Sequence, residues 1–147
     1  MLKRIRGWTS RRARGSVPTI DMPTRAPDGE AVYVGTTLGG AAHHRLVGGA
    51  LFGRGTCRYW LQASVLTFQR DLGPAIALTD ITEVSLSGAH AGLVMAPNRI
   101  AVVTWTLGQE ELDTGFGFAN PRQAEAFAEQ VAATAGLSPD KGPHASA

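Results

Sequence analysis

The stretch that decides the fold is IAVVTWTLGQEELDTGFGF, residues 100–118. Gly108 and Gln109 divide it into two runs, because glycine favours a tight turn between strands. In the second run, apolar positions alternate with charged residues and glycines, which is the period-two pattern of a half-buried antiparallel strand. We therefore predict a β-hairpin. One face of its second strand carries Leu112, Thr114, Phe116 and Phe118, and the other carries Glu111, Asp113, Gly115 and Gly117.

A helix is predicted directly after this hairpin. Asn120 is a suitable N-cap, and Pro121 suits the first helical position, where an amide N–H would have no partner in the helix. Gly136 is typical of a helix end. Apolar residues at spacings of three and four form one stripe, which we expect to pack on the sheet. The stripe consists of Ala124, Phe127, Ala128, Val131 and Ala135.

Shorter strand signals precede the hairpin and are separated by residues typical of turns. Two strands are predicted to meet near Ala63 and Ser64, and residues 70–74 (RDLGP) predict a turn. Beyond that turn the apolar spacing changes from two to three, which indicates a strand that bends into a helical turn. The predicted strand segments are 32–37, 56–69 as two strands, 76–84, 93–96 and 99–107.

The order of about seven strands and then one helix predicts a mainly β domain over residues 31–136. An amphipathic helix can cover the open end of a strongly bent antiparallel sheet. We therefore expect a bent antiparallel β-sandwich or barrel capped by one C-terminal α-helix, the architecture of a pleckstrin-homology-like (PH-like) domain. Residues 16–30 contain three prolines and are predicted to be an extended linker, and residues 137–147 a disordered tail.

Charge is unevenly distributed along the chain. Residues 1–30 hold seven Lys/Arg and three Asp/Glu, whereas residues 31–147 hold seven and nine. The pI of about 9.1 therefore reflects a basic N-terminal arm, which suits an anionic lipid surface, a nucleic acid or an acidic partner. The remainder of the chain lacks the basic and aromatic platforms of nucleic-acid-binding folds, so we expect no nucleic acid among its partners.

The basic arm spans residues 1–15. Leu2, Ile5 and Trp8 recur at a spacing of three and would form a narrow apolar stripe beside the cations of a helix. Such a stripe can lie in a lipid headgroup layer, where each nearby cation contributes about 1 kcal/mol on an anionic leaflet. The alternative is a solvated, disordered arm. The candidate membrane-proximal residues are Lys3, Arg4, Arg6, Trp8, Arg11, Arg12 and Arg14.

Three stretches resemble a family of small actinobacterial membrane proteins that carry a bacterial PH-like domain. They are YVGTT at 33–37, IALTDITEV at 76–84 and VVTWTLGQEELDTGF at 102–116, of which the last is the most specific. The resemblance implies a transmembrane helix before the basic arm, with residues 1–4 as the cytoplasmic edge of a span that has been cut off. The positive-inside rule then places the domain on the cytoplasmic face of the cell membrane. The alternative is a natural start at Met1, with the arm as a peripheral anchor.

Signals for catalysis are weak. The tripeptide Asp113-Thr114-Gly115 matches the one that supplies the catalytic carboxylate in aspartic proteases, which need two such carboxylates and hence a homodimer here. Only 32 residues follow Gly115, too few for the flap and closing strands of that fold. A dimeric protease is therefore a remote alternative, and Asp113 is predicted to pair across the sheet. We expect the chain not to be an enzyme.

Signals for metals and cofactors are equally weak, and we expect neither. Cys57 is the only cysteine, which rules out an internal disulfide and a cysteine-rich zinc site. His43 and His44 lack a companion ligand at a suitable spacing, and His90 and His144 stand alone. The glycine-rich segment 38–55 lacks the GK[ST] of a phosphate-binding loop.

Segment 38–55 is instead a candidate interaction loop, whose apolar residues either pack on the sheet or form an exposed binding surface. Its cations are too sparse for the usual phosphoinositide headgroup site. We expect a non-enzymatic adaptor that mediates protein–protein interaction near the membrane, through this loop or by strand addition at a sheet edge. The alternative is a lipid-binding or transport accessory domain that holds an acyl chain. The candidate loop residues are Arg45, Leu46, Val47, Leu51, Phe52 and Arg54.

Overall fold

A computed structural model describes residues 17–38, 45–46, 54–62, 64–68, 72–137 and 144–145. Within these residues, a bent sheet packs against one helix, α1 (Pro121–Thr134). Seven of the described strands are longer than three residues, in agreement with the prediction of about seven. The strands are β1 (Thr19–Asp21), β2 (Gly29–Leu38), β3 (Arg45–Leu46), β4 (Gly55–Leu61), β5 (Val65–Phe68), β6 (Leu72–Ala77), β7 (Ile81–Ser87), β8 (Ala89–His90), β9 (Leu93–Val94), β10 (Ile100–Leu107), β11 (Glu110–Gly117) and β12 (His144–Ala145).

The sheet consists of two antiparallel meanders, β6-β5-β4-β2 and β11-β10-β7, which are joined where β2 pairs with β11. Its order is β1-β6-β5-β4-β2-β11-β10-β7-β12, with β3 added to β2, and β8 and β9 form a separate hairpin. All pairs are antiparallel except β7 with β12, which is parallel. The chain passes from one half of the sheet to the other through the 3-10 turn Leu78–Asp80, which confirms the predicted bend. The sheet thereby curls into a half-barrel.

Helix α1 closes this half-barrel as the sequence predicts. The Asn120 side chain accepts a hydrogen bond from the Gln123 amide at 2.9 Å, and Pro121 begins the helix. The predicted stripe is buried at Ala124, Phe127, Ala128 and Val131. The Phe127 ring lies 4.8 Å from the Tyr59 ring on β4 and 5.2 Å from the Phe116 ring on β11, so the helix contacts both meanders.

Aromatic side chains fill the interior. Tyr33, Phe68 and Phe116 form consecutive ring contacts, with centroids 5.0 and 4.9 Å apart. Their side chains are completely or almost completely buried, as is that of Trp105. Such rings stabilise a core by the large area that they bury and by their edge-to-face packing. The space between the two halves of the sheet is therefore occupied by side chains.

A chain of hydroxyl groups lies within this apolar core. The Trp105 indole N–H donates to Thr114 Oγ1 at 2.9 Å, and Thr114 Oγ1 shares a hydrogen bond of 2.9 Å with Thr36 Oγ1. Thr36 in turn bonds the Tyr33 hydroxyl at 2.8 Å. Buried polar groups are costly when unpaired, so the three bonds make these hydroxyls compatible with the core and fix β2, β10 and β11 relative to one another.

The outer face of β11, which the period-two pattern predicts to be exposed to solvent, is covered at two positions. Gly115 and Gly117 are buried, because His90 of the β8–β9 hairpin covers Gly115 and Met95, directly after the hairpin, covers Gly117. A Cβ atom at Gly115 would lie 2.5 Å from His90 Cδ2, and one at Gly117 would lie 2.8 Å from Met95 Sδ. The predicted exposure of the outer face is therefore wrong at Gly115 and Gly117. A second apolar cluster fills this face, formed by Val34, Ala91, Ile100 and Val102 with Val32, Leu93 and Met95 packed against it.

Two segments predicted to lack strands contain them. In the predicted linker, β1 pairs with β6, Val17 is buried in the core, and the Pro18 carbonyl accepts a bond from the Ala75 amide at 2.7 Å. Proline removes a donor but keeps its carbonyl and favours extended backbone, so it is compatible with an edge strand. In the predicted turn 70–74, β6 already begins at Leu72. The predicted strand 93–96 is shorter, as only Leu93–Val94 pairs.

The close packing of His90 on Gly115 yields a test. We expect Gly115→Ala to lower the free energy of unfolding by about 1–3 kcal/mol, because the added methyl overlaps the imidazole. The same change in a His90→Ala background should cost less than about 1 kcal/mol, since the overlapping atoms are gone. Urea unfolding of the four proteins in this double-mutant cycle measures both costs. Equal costs in the two backgrounds would contradict the described packing.

Candidate functional site

Each residue of the Asp113-Thr114-Gly115 tripeptide has a structural role. Asp113 lies opposite Thr104 in the register of β10 and β11, and its Oδ1 accepts a bond from Thr104 Oγ1 at 2.6 Å. This confirms the predicted pairing across the sheet. Thr114 belongs to the buried hydroxyl chain, and Gly115 leaves space for His90. The tripeptide is therefore explained by the packing of β11.

His90 fixes the β8–β9 hairpin to the sheet. Its Nε2 lies 3.2 Å from the Gly35 carbonyl oxygen and 3.1 Å from the Asp113 carbonyl oxygen, so a proton on Nε2 is donated to this pair. Gly35 stands at a β-bulge, where the register of β11 and β2 shifts and the regular ladder is interrupted. Burial lowers the pKa of His90, because it removes water from the charged ring, although the two carbonyls and Asp113 partly oppose this effect.

Arg54 also binds the hairpin. Its Nε donates to the Val34 carbonyl at 2.7 Å and its NH2 to the Ala91 carbonyl at 2.6 Å. Arg54, which directly precedes β4, thus links this part of the chain to β2 and to the tip of the hairpin.

Of the other candidate loop residues, Arg45 and Leu46 form β3, paired with Thr37 and Thr36. Val47, Leu51 and Phe52 lie outside the described residues, as do Lys3, Arg4, Arg6, Trp8, Arg11, Arg12 and Arg14 of the arm.

A surface groove of about 370 Å³ lies between β2, β4, the region after β9 and the start of α1. A smaller groove of about 240 Å³ shares Glu30 and Thr56 with it and reaches Arg58. The larger groove holds Glu30 and Arg99, so its walls carry both signs of charge. Its other lining residues are mainly apolar or small and include Val32, Met95, Gly117 and Phe118. This composition suits a protein side chain better than a phosphate group, which needs several convergent donors.

The described residues contain few cationic side chains, and some of these already bond to protein groups. The described residues contain six Lys/Arg and ten Asp/Glu, so this part of the chain is acidic. The Arg25 guanidinium contacts both Asp28 oxygens at 3.1 and 3.2 Å, and this bond holds the pKa of Asp28 below its ordinary value. The Leu61 amide also donates to Asp28 at 2.6 Å. The Trp60 indole donates to the Arg25 carbonyl at 3.0 Å, which fixes this loop on β4.

Both outer edges of the sheet carry short strands from opposite ends of the described chain. On the β6 edge, β1 pairs over three residues and is fixed by the buried Val17. On the β7 edge, His144 and Ala145 pair in parallel with Ser85 and Leu86. This pairing lies within the predicted disordered tail and corrects that prediction at two residues. Backbone pairing satisfies edge groups that would otherwise be exposed, and that is the physical reason for it.

The two edge strands differ in length and in how they are fixed. A net backbone hydrogen bond contributes about 0.5–1.5 kcal/mol and ordering a residue costs about 1–2 kcal/mol, so backbone pairing alone stabilises neither strand by much. For β1, burial of Val17 adds about 1.5–3 kcal/mol. Strand β12 pairs over two residues, whereas β1 pairs over three.

Cys57 lies on β4 at the smaller groove and is buried, and this burial raises the pKa of its thiol to about 12. A thiol with so high a pKa carries little thiolate, which is the nucleophilic form. Among the described residues, no group of three or more His, Cys, Asp or Glu side chains is placed to hold a metal ion. No helix within the described ranges is long and apolar enough to cross a membrane.

The strand order and the position of α1 define the class of protein. Two antiparallel meanders joined through β2 and β11, with a C-terminal helix across the opening, form a PH-like fold. The profile of the bacterial PH domain-like family matches residues 14–132, so the chain belongs to that family. This confirms the predicted PH-like resemblance, and members of this class are typically binding modules without catalytic activity. A search of curated proteins found no match.

The lowered pKa of His90 predicts a pH dependence. The unfolded chain binds a proton near the ordinary histidine pKa of about 6.5, whereas folded His90 binds it only at lower pH. Its contribution to stability is therefore present above pH 6.5 and lost as the pH falls. We expect the free energy of unfolding of the wild type to fall more than that of His90→Gln between pH 7.5 and 5.5. The difference is at most about 1.4 kcal/mol, the limit that protonation of the unfolded chain sets over this range.

Urea unfolding of both proteins at the two pH values measures this difference. The other three histidines are present in both proteins, so their contributions cancel. Asp28 loses its contribution only below its ordinary pKa of 3.8, outside this range. Parallel pH dependence of the two proteins would contradict the role assigned to His90.

Proposed function

We propose that the chain is a non-enzymatic adaptor that the basic arm, or a span preceding it, holds at the cytoplasmic face of the membrane. Its PH-like domain then presents a binding surface to a protein partner. The observation that carries this proposal is the separation of charge. Residues 1–15 contain six Lys/Arg and no Asp/Glu, whereas the described residues contain six and ten.

This separation gives the two parts opposite responses to an anionic leaflet. Six cations at about 1 kcal/mol each are enough to hold the arm on the surface at physiological salt. The acidic domain is repelled, although only within about 8–10 Å of the surface, where charges are not screened. The arm therefore attaches the chain while the surface of the domain stays accessible to a partner.

Direct lipid recognition by the domain has less support. Arg25 pairs with Asp28, Arg54 donates to backbone carbonyls, and Arg99 shares its groove with Glu30. Headgroup phosphates require several convergent donors, and each of these guanidinium groups already has a protein acceptor or an acidic neighbour. The alternative function, in which the domain encloses an acyl chain, also has less support, because aromatic rings already fill the interior.

A vesicle experiment tests the arm. We expect the 147-residue chain to co-sediment with anionic vesicles of phosphatidylglycerol and phosphatidylcholine at 0.1 M salt, with little binding to pure phosphatidylcholine. Replacement of Lys3, Arg4, Arg6, Arg11, Arg12 and Arg14 by Gln should weaken binding at least about 100-fold, because six favourable contacts are lost. High salt should release the wild type.

The control replaces three cations of the domain, Arg58, Arg99 and Arg122, by Gln. The arm account predicts unchanged vesicle binding for this variant, since these residues lie on the acidic domain. Loss of binding in the control, or salt-resistant binding by the arm variant, would show that the domain itself recognises lipid. Either result would overturn the proposal.

A further inference from the structure

We propose that the outer edge of β7 is a strand-addition site for an extended segment of a partner protein, and that β12 occupies it in the unbound protein. The inference rests on the proposed adaptor function and names the site and the kind of partner. Strand addition obtains affinity from main-chain hydrogen bonds and specificity from the adjoining side chains. The chain's own His144–Ala145 pairing shows that this edge accepts an extended segment.

The edge is preformed and longer than its present occupant. Strand β7 has seven residues, of which β12 pairs with Ser85 and Leu86. Among the described residues, the backbone of 81–84 has no strand partner on that side. Val84 and Leu86 are buried, and β10 pairs along the other side of β7, so β7 itself needs no rearrangement once β12 is displaced. A bound segment can therefore form a longer ladder than β12 does.

The sequence before β12 limits how far the chain's own segment can pair. Pro143 precedes His144 and has no amide N–H to donate to a ladder. On the opposite edge, β1 pairs over three residues, and the buried Val17 fixes it to the core. This contrast makes β12 the edge strand that a competing segment can displace.

The side chains along β7 indicate the chemistry of the partner. Thr82 and Glu83 are exposed, Ser85 and Ser87 are half-buried, and Asp80 stands just before the strand. These groups are polar and acidic. A complementary segment is extended, runs parallel to β7 as β12 does, pairs over at least four residues and carries Lys or Arg opposite Glu83.

A peptide experiment in the absence of membranes tests this inference. The probe is a fluorescent peptide with the sequence of residues 138–147 and two changes. Pro143→Val restores the missing N–H, and Gly142→Lys places a cation opposite Glu83 in the register of β12. The H144P/A145P variant of the 147-residue chain removes both amide donors of β12 and should leave the edge open. The matched control is Ala147→Pro, outside the two residues that pair.

We expect the peptide to bind H144P/A145P at least tenfold more tightly than it binds the wild type or Ala147→Pro. Amide hydrogen exchange at residues 85–87 should be faster in H144P/A145P than in the wild type, and the peptide should slow exchange across residues 82–87. Equal affinity for the three proteins, no binding to any of them, or exchange unchanged by H144P/A145P would each overturn the inference. Because no vesicle is present, these results are independent of the arm, and failure in the vesicle experiment would leave them standing.

Discussion

The arrangement of β11 is the constraint on which the rest of the structure depends. This strand pairs with β10 on one side and β2 on the other, and so joins the two meanders. Its inner face places Thr114 and Phe116 in the core, where they meet the hydroxyl chain and the aromatic rings. Its outer face presents Gly115 and Gly117, and the missing side chains let the β8–β9 hairpin cover the sheet. One strand thereby organises two apolar clusters on opposite faces.

Local patterns were sufficient to predict the central elements. The β10–β11 hairpin has a glycine turn and a period-two pattern, and α1 has an N-cap, an N-terminal proline and an apolar stripe. Together with the bend at Leu78–Asp80, these elements led to the PH-like fold, which the family match confirms. They were predictable because each depends on residues close together in the chain.

The elements that sequence reasoning missed depend on distant contacts. His90 lies 25 residues before Gly115 in sequence, and only the folded sheet brings its ring onto that glycine. Two glycines at alternate positions of a strand were the available signal, because absent side chains often mark a close approach by another segment. Strands β1 and β12 are short and each directly follows a proline, so their pairing reflects the exposed sheet edges and not their own propensity. The arm's role follows from composition alone and stays a prediction.

We propose that the arm contacts the membrane and that the acidic domain contacts a partner. Hydrogen–deuterium exchange of the full chain, with and without anionic vesicles, tests this division most directly, because each peptide fragment reports the protection of its own segment. We expect vesicles to slow exchange within residues 1–15 and to leave exchange unchanged in residues 54–62 and 93–99, which line or adjoin the grooves. Vesicle-dependent protection of residues 54–62 or 93–99, with no change in the arm, would contradict this proposal.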